Sequence, residues 1–256
     1  MFKKPVRSFY FLIFSLLTRH PNFLYFMTIS HYMTISHKKA PKTEKVSPAK
    51  ARRERETLER REAILAAARD VFFKRGFHRA TVDEVAEEAE VAKGTVYLYF
   101  ESKETILSHL LLEGLDTLGE QLTEAFNEKS SFSAEKRLRR LCAAYLDFYT
   151  NEPDYFRLMM AFDRGQFQEA VPKELYQSIL EKSSLGLQWV VKAIQQGVED
   201  GDLAKCNAKK TAGMLWAAVN GALVIVSHPL RREMLDQEVE PLYNGVMELT
   251  IRGLKA

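Results

Sequence analysis

The sequence predicts an all-α protein, with a small three-helix helix-turn-helix unit near the N-terminus and a larger helical domain after it. Three observations carry this. Apolar residues beyond residue 54 recur at helical spacing in almost every segment. Those segments are punctuated at Asn151-Glu152-Pro153, Pro172, Gly201-Asp202, Pro229 and Pro241. The one run of strand formers, VAKGTVYLYF at residues 91–100, has no second strand-like segment nearby, and a lone strand is not stable in water. The run is therefore read as a short helix, in which packing overrides local propensity.

The elements follow in order. Residues 1–37 have the composition of neither a folded domain nor a clean export signal. A basic start precedes a short apolar run at Phe9–Leu17, then a near-repeat, MTISHYMTISH. No stretch reaches the about 18 apolar residues of a spanning helix. The segment is expected to be a non-native or disordered extension, with translation starting at Met27 or Met33; the rival reading is a membrane anchor using residues 1–26. Residues 38–55 form a basic arm that runs into a helix over about 54–75. On that helix Ile64, Leu65, Ala68, Val71 and Phe72 share a face, and Gly76 suits the C-terminal cap. Thr81, with Glu84 three residues on, is a capping box that opens a short second helix, whose inward face is Val85, Ala86 and Ala89. In the third helix, Val96 and Phe100 stack at i, i+4 toward the core, leaving Lys93, Thr95, Tyr97 and Tyr99 on the outward sides. Ser102 caps the next helix, which continues to about Phe126. Further helices are predicted near 134–150, 153–163, 173–199, 207–227 and 236–254.

Composition narrows the function. Hydrophobic residues are 46% and charged residues 28% of the 256, and the net charge is only +3, so any basic binding surface must be local. The two cysteines, Cys142 and Cys206, form no CxxC pair, which argues against disulfides and zinc and suits a reducing cytoplasm. No Ser-His-Asp or Cys-His grouping, phosphate loop or HExxH appears, and the six histidines are scattered. No catalysis, metal or cofactor is expected.

Two short helices joined by a tight turn behind a longer helix can place the second one in the DNA major groove, which is about 12 Å wide. Lys93 can pair with phosphate or guanine, the hydroxyls of Thr95, Tyr97 and Tyr99 can donate to phosphate, and Gly94 lets the backbone approach closely. Arg52 and Arg53 on the arm can add phosphate or minor-groove contacts, and Lys103 can reach the same backbone. Tyr97 and Tyr99 are also explicable as half-buried aromatics.

Residues 62–107, EAILAAARDVFFKRGFHRATVDEVAEEAEVAKGTVYLYFESKETIL, resemble the DNA-binding domain of the TetR/AcrR family of bacterial transcriptional regulators. The resemblance rests on the lead-in through Gly76-Phe77, on TVDEVAEEA, on GTVYLYF and on Lys103. It implies an all-helical dimer whose N-terminal domain (56–103) reads a palindromic operator in double-stranded DNA. The C-terminal domain (104–256) would bind a small effector and form the dimer. It implies phosphate contacts at Thr81, Tyr99 and Lys103, and base or groove contacts at Lys93, Gly94, Thr95 and Tyr97. Glu90 departs from the family, which usually has glycine there; if the turn needs positive φ, strain of about 1 kcal/mol is expected.

The C-terminal half is less informative. The stretch 212–226 is apolar nearly all round, and too few polar residues remain for a helix on a monomer surface. Leu215, Trp216, Ala218, Val219, Ala222 and Leu223, with Val246 and Leu249 of the last helix, are expected to bury against a second copy in a four-helix interface. The aromatic and methionine-rich middle suggests a pocket for an apolar or amphipathic effector, with Tyr145, Phe148, Tyr149, Phe156, Met159, Met160 and Trp189 as candidates; such a stripe also serves as plain core. The function expected is a ligand-responsive, cytoplasmic DNA-binding regulator, a repressor with no stable membrane association. The alternatives are a membrane-tethered signalling protein and an enzyme.

Overall fold

The computed structural model describes residues 47–255, so the expectations for residues 1–46 lie outside the described residues. Among the described residues the fold is all-α, and the single β-feature is an isolated bridge between Leu203 and Lys255. The helices are α1 (Pro48–Arg75), α2 (Val82–Glu88), α3 (Lys93–Tyr99), α4 (Lys103–Phe126), α5 (Ala134–Asn151), α6 (Pro153–Asp163), α7 (Lys173–Asp200), α8 (Ala208–Val226), α9 (Pro229–Leu235) and α10 (Val239–Arg252). A 3-10 turn at Gln168–Ala170 lies between α6 and α7.

Two differences from the sequence reading have simple causes. Helix α1 starts at Pro48 rather than near 54, because proline is well suited to the first position of a helix. For the same reason Pro229 opens the short helix α9 instead of merely breaking the chain.

The expected inward face of α1 is buried: Ile64, Leu65, Ala68, Val71 and Phe72 join Val85, Ala86, Val96 and Phe100 in one apolar cluster. That cluster continues past residue 103 through Ile106, Leu110, Leu111 and Leu115 of α4 into Leu158, Ala161 and Phe162 of α6. Helices α1, α2 and α3, the reading head for DNA in the sequence-based expectation, therefore share a core with the first half of α4 and with α6. A second cluster fills the C-terminal half around Leu138, Leu141, Phe148, Ile194, Leu215, Leu223 and Tyr243. Two buried hydrogen bonds tie it together. The Tyr145 hydroxyl donates to Asn220 Oδ1 (2.7 Å), and the Tyr243 hydroxyl donates to the Cys142 carbonyl (2.8 Å). Buried Arg137 donates to the carbonyls of Ser130 (2.9 Å) and Phe132 (3.4 Å) and lies over the Phe126 ring, which fixes the connection from α4 to α5.

No single helix among the described residues is long and apolar enough to cross a membrane.

Candidate nucleic-acid interface and effector cavity

Local chemistry sets the position of α3. The Thr81 hydroxyl oxygen accepts from the Glu84 amide (3.3 Å), and Glu84 Oε2 accepts from the Thr81 amide (2.8 Å), so the expected capping box is complete. The Thr81 amide, then the Arg75 guanidinium, hold the Glu84 carboxyl below its ordinary range. Helix α2 then ends in a full Schellman motif: the Val91 amide bonds the Ala86 carbonyl (2.9 Å) and the Glu90 amide bonds the Glu87 carbonyl (3.1 Å). The motif needs a left-handed residue between them, and Glu90 occupies that place with φ 52°. Glu90 thus carries the positive φ expected where the family has glycine.

Beyond the turn, α3 presents two faces. Val96 and Phe100 are buried. Lys93, Gly94, Tyr97 and Leu98 are exposed, while Thr95 and Tyr99 are half-buried. The Lys93 ammonium bonds Asp83 on α2 (2.9 Å), which raises its pKa. The pair is exposed and replaceable by a phosphate. Leu98, 82% exposed, is absent from the sequence-based set. The signal for it is present: once Val96 and Phe100 point inward, position 98 must point outward. An exposed leucine on the second helix of a helix-turn-helix has the apolar surface that a thymine methyl contact requires.

Lys103 has a second task. Its ammonium donates to the Ala80 carbonyl (2.7 Å) and to the His78 carbonyl (3.4 Å), and it lies over the Phe72 ring. Burial lowers its pKa. The lysine thus fastens the loop before α2, with one donor left over. Arg52 and Arg53 sit within helix α1, exposed, rather than on an irregular arm.

The C-terminal half holds an apolar cavity of about 130 Å³ between α4, α5, α6, α7 and α8. Of the expected effector residues, Tyr145, Met159 and Met160 line it. Tyr149 and Phe156 instead line an outer groove that shares Met160 with the cavity. Phe148 is fully buried in the core. Trp189 lies outside the cavity, stacked on Phe126 (4.4 Å between centroids) with its Nε1 donating to Thr123 (3.2 Å). Asp163 and Lys182 also line the cavity; the sequence leaves Asp163, like Arg157 and Arg164, as either a ligand-orienting or a surface charge and does not point to Lys182. A charge in mixed surroundings carries no periodic signal, so only the fold could place them.

The expected interface residues divide as well. Leu215, Val219, Ala222 and Leu223 are buried in the subunit's own core. Ala218 and Val246 are half-buried, while Trp216 and Leu249 are exposed. Met214 and Ile225, at 63% and 40%, are further exposed apolar residues of α8, on the side opposite Trp216.

Helix α6 spans the distance between cavity and reading head. Met159, Met160 and Asp163 line the cavity. On the same helix, the Tyr155 hydroxyl donates to Glu113 Oε2 (3.1 Å), and the Arg69 Nη2 of α1 donates to that same oxygen (2.8 Å). Burial and the Glu113 charge push the Tyr155 phenol up, which keeps it a donor. Phe73 of α1 meets the Tyr155 ring edge-on at 5.1 Å. After α6, Gln166 bonds His78 next to the helix-turn-helix (3.1 Å).

Comparison with known proteins agrees with this arrangement. Residues 64–110 match the family described as bacterial regulatory proteins, tetR family. Over 105 residues, 41% of the chain, the sequence is 33% identical to the HTH-type transcriptional activator FasR of Mycolicibacterium smegmatis, and the chain spans about half (47%) of that relative's length. Over 75% of the chain and 93% of the relative it is 25% identical to the fatty acid metabolism regulator protein of Bacillus subtilis. The fold is similar to that of the transcriptional regulator FadR from Bacillus subtilis in complex with stearoyl-CoA. That likeness has a TM-score of 0.57 and 23% identity, covering 75% of this chain and 98% of that one. The capping box, the Schellman turn and the outward α3 face all lie within residues 64–110, the part of the chain that matches the tetR family of bacterial regulatory proteins.

Proposed function

We propose that the chain is a ligand-responsive transcriptional repressor of the cytoplasm, a homodimer that leaves a palindromic operator when a small apolar or amphipathic effector fills the cavity. One observation carries this reading: α6 lines the cavity with one side and holds α1 of the reading head with Tyr155 and, through Glu113, Arg69. An effector that pushes Met159 and Met160 outward would move α6 against α1 and α4. The separation of two α3 helices in a dimer would change, and they would no longer fit successive major grooves. The fatty-acid regulator among the relatives, and the solved neighbour holding stearoyl-CoA, support an effector with an apolar body. The exposed apolar residues Met214, Ile225 and Leu249 support a second copy on α8 and α10.

The test is to select fragments of host genomic DNA with the purified protein and footprint the enriched ones. A repressor dimer protects two half-sites about one helical turn apart, with affinity that falls steeply with salt. Selection that enriches no common sequence would refute the reading. Met214→Glu should yield monomers on a sizing column, and an unchanged dimer would move the interface elsewhere.

A further inference from the structure

Resting on the reading of the chain as an operator-binding regulator, we propose that the middle of each half-site is specified through thymine methyl groups. Leu98 is the residue that reads them, and Gly94 is the one that lets α3 come close enough.

Helix α3 turns by about 100° per residue, so Gly94 and Leu98, each two residues from the buried Val96, both lie about 200° from it. They sit one turn apart on the side facing away from the core, the side that goes deepest into a groove. Lys93 and Tyr97 lie to one side of this pair, and Thr95 and Tyr99 to the other.

Gly94 answers no need of the chain itself. Its backbone is helical and outside the left-handed region, so other residues could adopt it. A Cβ there would meet nothing within 4 Å, so packing does not exclude one. Within a helix, glycine is also less stable than alanine. What accounts for the missing side chain is a surface outside the chain that approaches the backbone closely. One turn on, Leu98 holds its side chain in water at 82% exposure, where covering it is favourable.

The chemistry of the face selects the base. Bidentate recognition of guanine uses arginine or lysine, and that of adenine uses asparagine or glutamine. The α3 sequence, KGTVYLY, has no arginine, asparagine or glutamine, and its one lysine, Lys93, is bonded to Asp83 at the edge of the face. Gly94 and Leu98 put no hydrogen-bonding side chain at the centre. A base donor or acceptor directly opposite them would lose its water and gain no partner. The C5-methyl of thymine is the apolar group that base edges offer in the major groove, and it would gain contact there.

The experiment selects operators from a random-sequence duplex library with the full chain. The enriched operator is then resynthesised with deoxyuridine for thymidine at each symmetric pair of positions in turn. Uracil keeps the hydrogen-bonding groups of thymine and lacks only the methyl. At the pair facing Leu98, wild-type affinity should fall about tenfold, because one methyl contact is worth a factor of about four and there are two half-sites. Leu98→Ala should bind the thymine operator about tenfold more weakly than the wild type and the uracil operator no worse than the thymine one. Leu98→Met, which keeps an apolar tip, should keep the uracil penalty. Gly94→Ala should melt about 1–3 °C higher than the wild type yet bind the operator at least about tenfold more weakly. Wild-type affinity indifferent to uracil at every pair overturns the proposal. So does a uracil penalty of the same size in Leu98→Ala, or unchanged operator affinity in Gly94→Ala. Melting curves identify a variant that fails to fold, and the uracil scan with the remaining variants then decides. A selection that enriches no common sequence defeats the operator-binding reading and this inference with it. An enriched operator indifferent to uracil defeats this inference alone.

Discussion

Replacing Glu90 by glycine should stabilise the protein. Glu90 stands at φ 52°, where a side-chain-bearing residue is strained, and its own side chain is exposed. The left-handed conformation costs about 1–2 kcal/mol in a residue with a Cβ. Glycine removes that cost but gives the unfolded chain more freedom, worth about 0.4–1 kcal/mol in the opposite direction. The net gain is about 0.5–1 kcal/mol, or about 1–4 °C in melting temperature for a chain of this size. Glu90→Ala is the control: it removes the carboxylate and keeps the strain, so it should not reproduce the gain. Because the Schellman bonds from Val91 and Glu90 remain, operator affinity should be retained in Glu90→Gly. The assay is thermal melting followed by circular dichroism. A fall in melting temperature, or equal gains in both variants, would refute the reasoning.

Other expectations follow from packing and charge. A Cβ on Gly114 would come within 2.7 Å of the Tyr155 ring, so Gly114→Ala should cost about 1–3 kcal/mol in a denaturant melt as α6 is forced outward. Tyr155→Phe should leave operator affinity near wild type while weakening effector-induced release, measured as the ratio of operator affinities with and without ligand. Burial pushes the Cys142 thiol up to about 12, while Cys206 is exposed. Iodoacetamide at mildly alkaline pH should therefore add to Cys206 and spare Cys142, as peptide mass spectrometry would show. Burial, then the Arg61 charge, lowers the His109 pKa from 6.5 to about 4. The unfolded chain thus binds the extra proton first. The stability His109 contributes is full above pH 6.5 and is lost as pH falls toward 4. His109→Gln should flatten that part of the stability profile.

Much of the reading head was legible in the residues themselves. The capping box at Thr81 and Glu84 is a local device, so its sequence signature and its geometry coincide. Val96 and Phe100 are separated by one helical turn, and their burial determines which residues face outward. Leu98 follows from the same count. The C-terminal half was less legible for a physical reason. Helix α8 is apolar on nearly every side, so periodicity cannot tell the stripe buried in its own subunit (Leu215, Val219, Leu223) from the stripe left bare (Met214, Ile225). Nor could composition show that Trp189 lies over Phe126 while Asp163 reaches the cavity, since both placements depend on how α4, α6 and α7 pack. The second role of Lys103 is hidden because its acceptors are backbone carbonyls, which every residue has.

The most direct test of the central claim is the affinity of the Thr95→Ala, Tyr97→Ala double variant for a selected operator and for random-sequence DNA. Both side chains lie outside the fully buried core, so the melting temperature should stay close to wild type. If the outward face of α3 reads DNA, operator affinity should fall by about tenfold or more while affinity for random DNA changes far less. Undiminished operator affinity in a folded double variant would contradict the account.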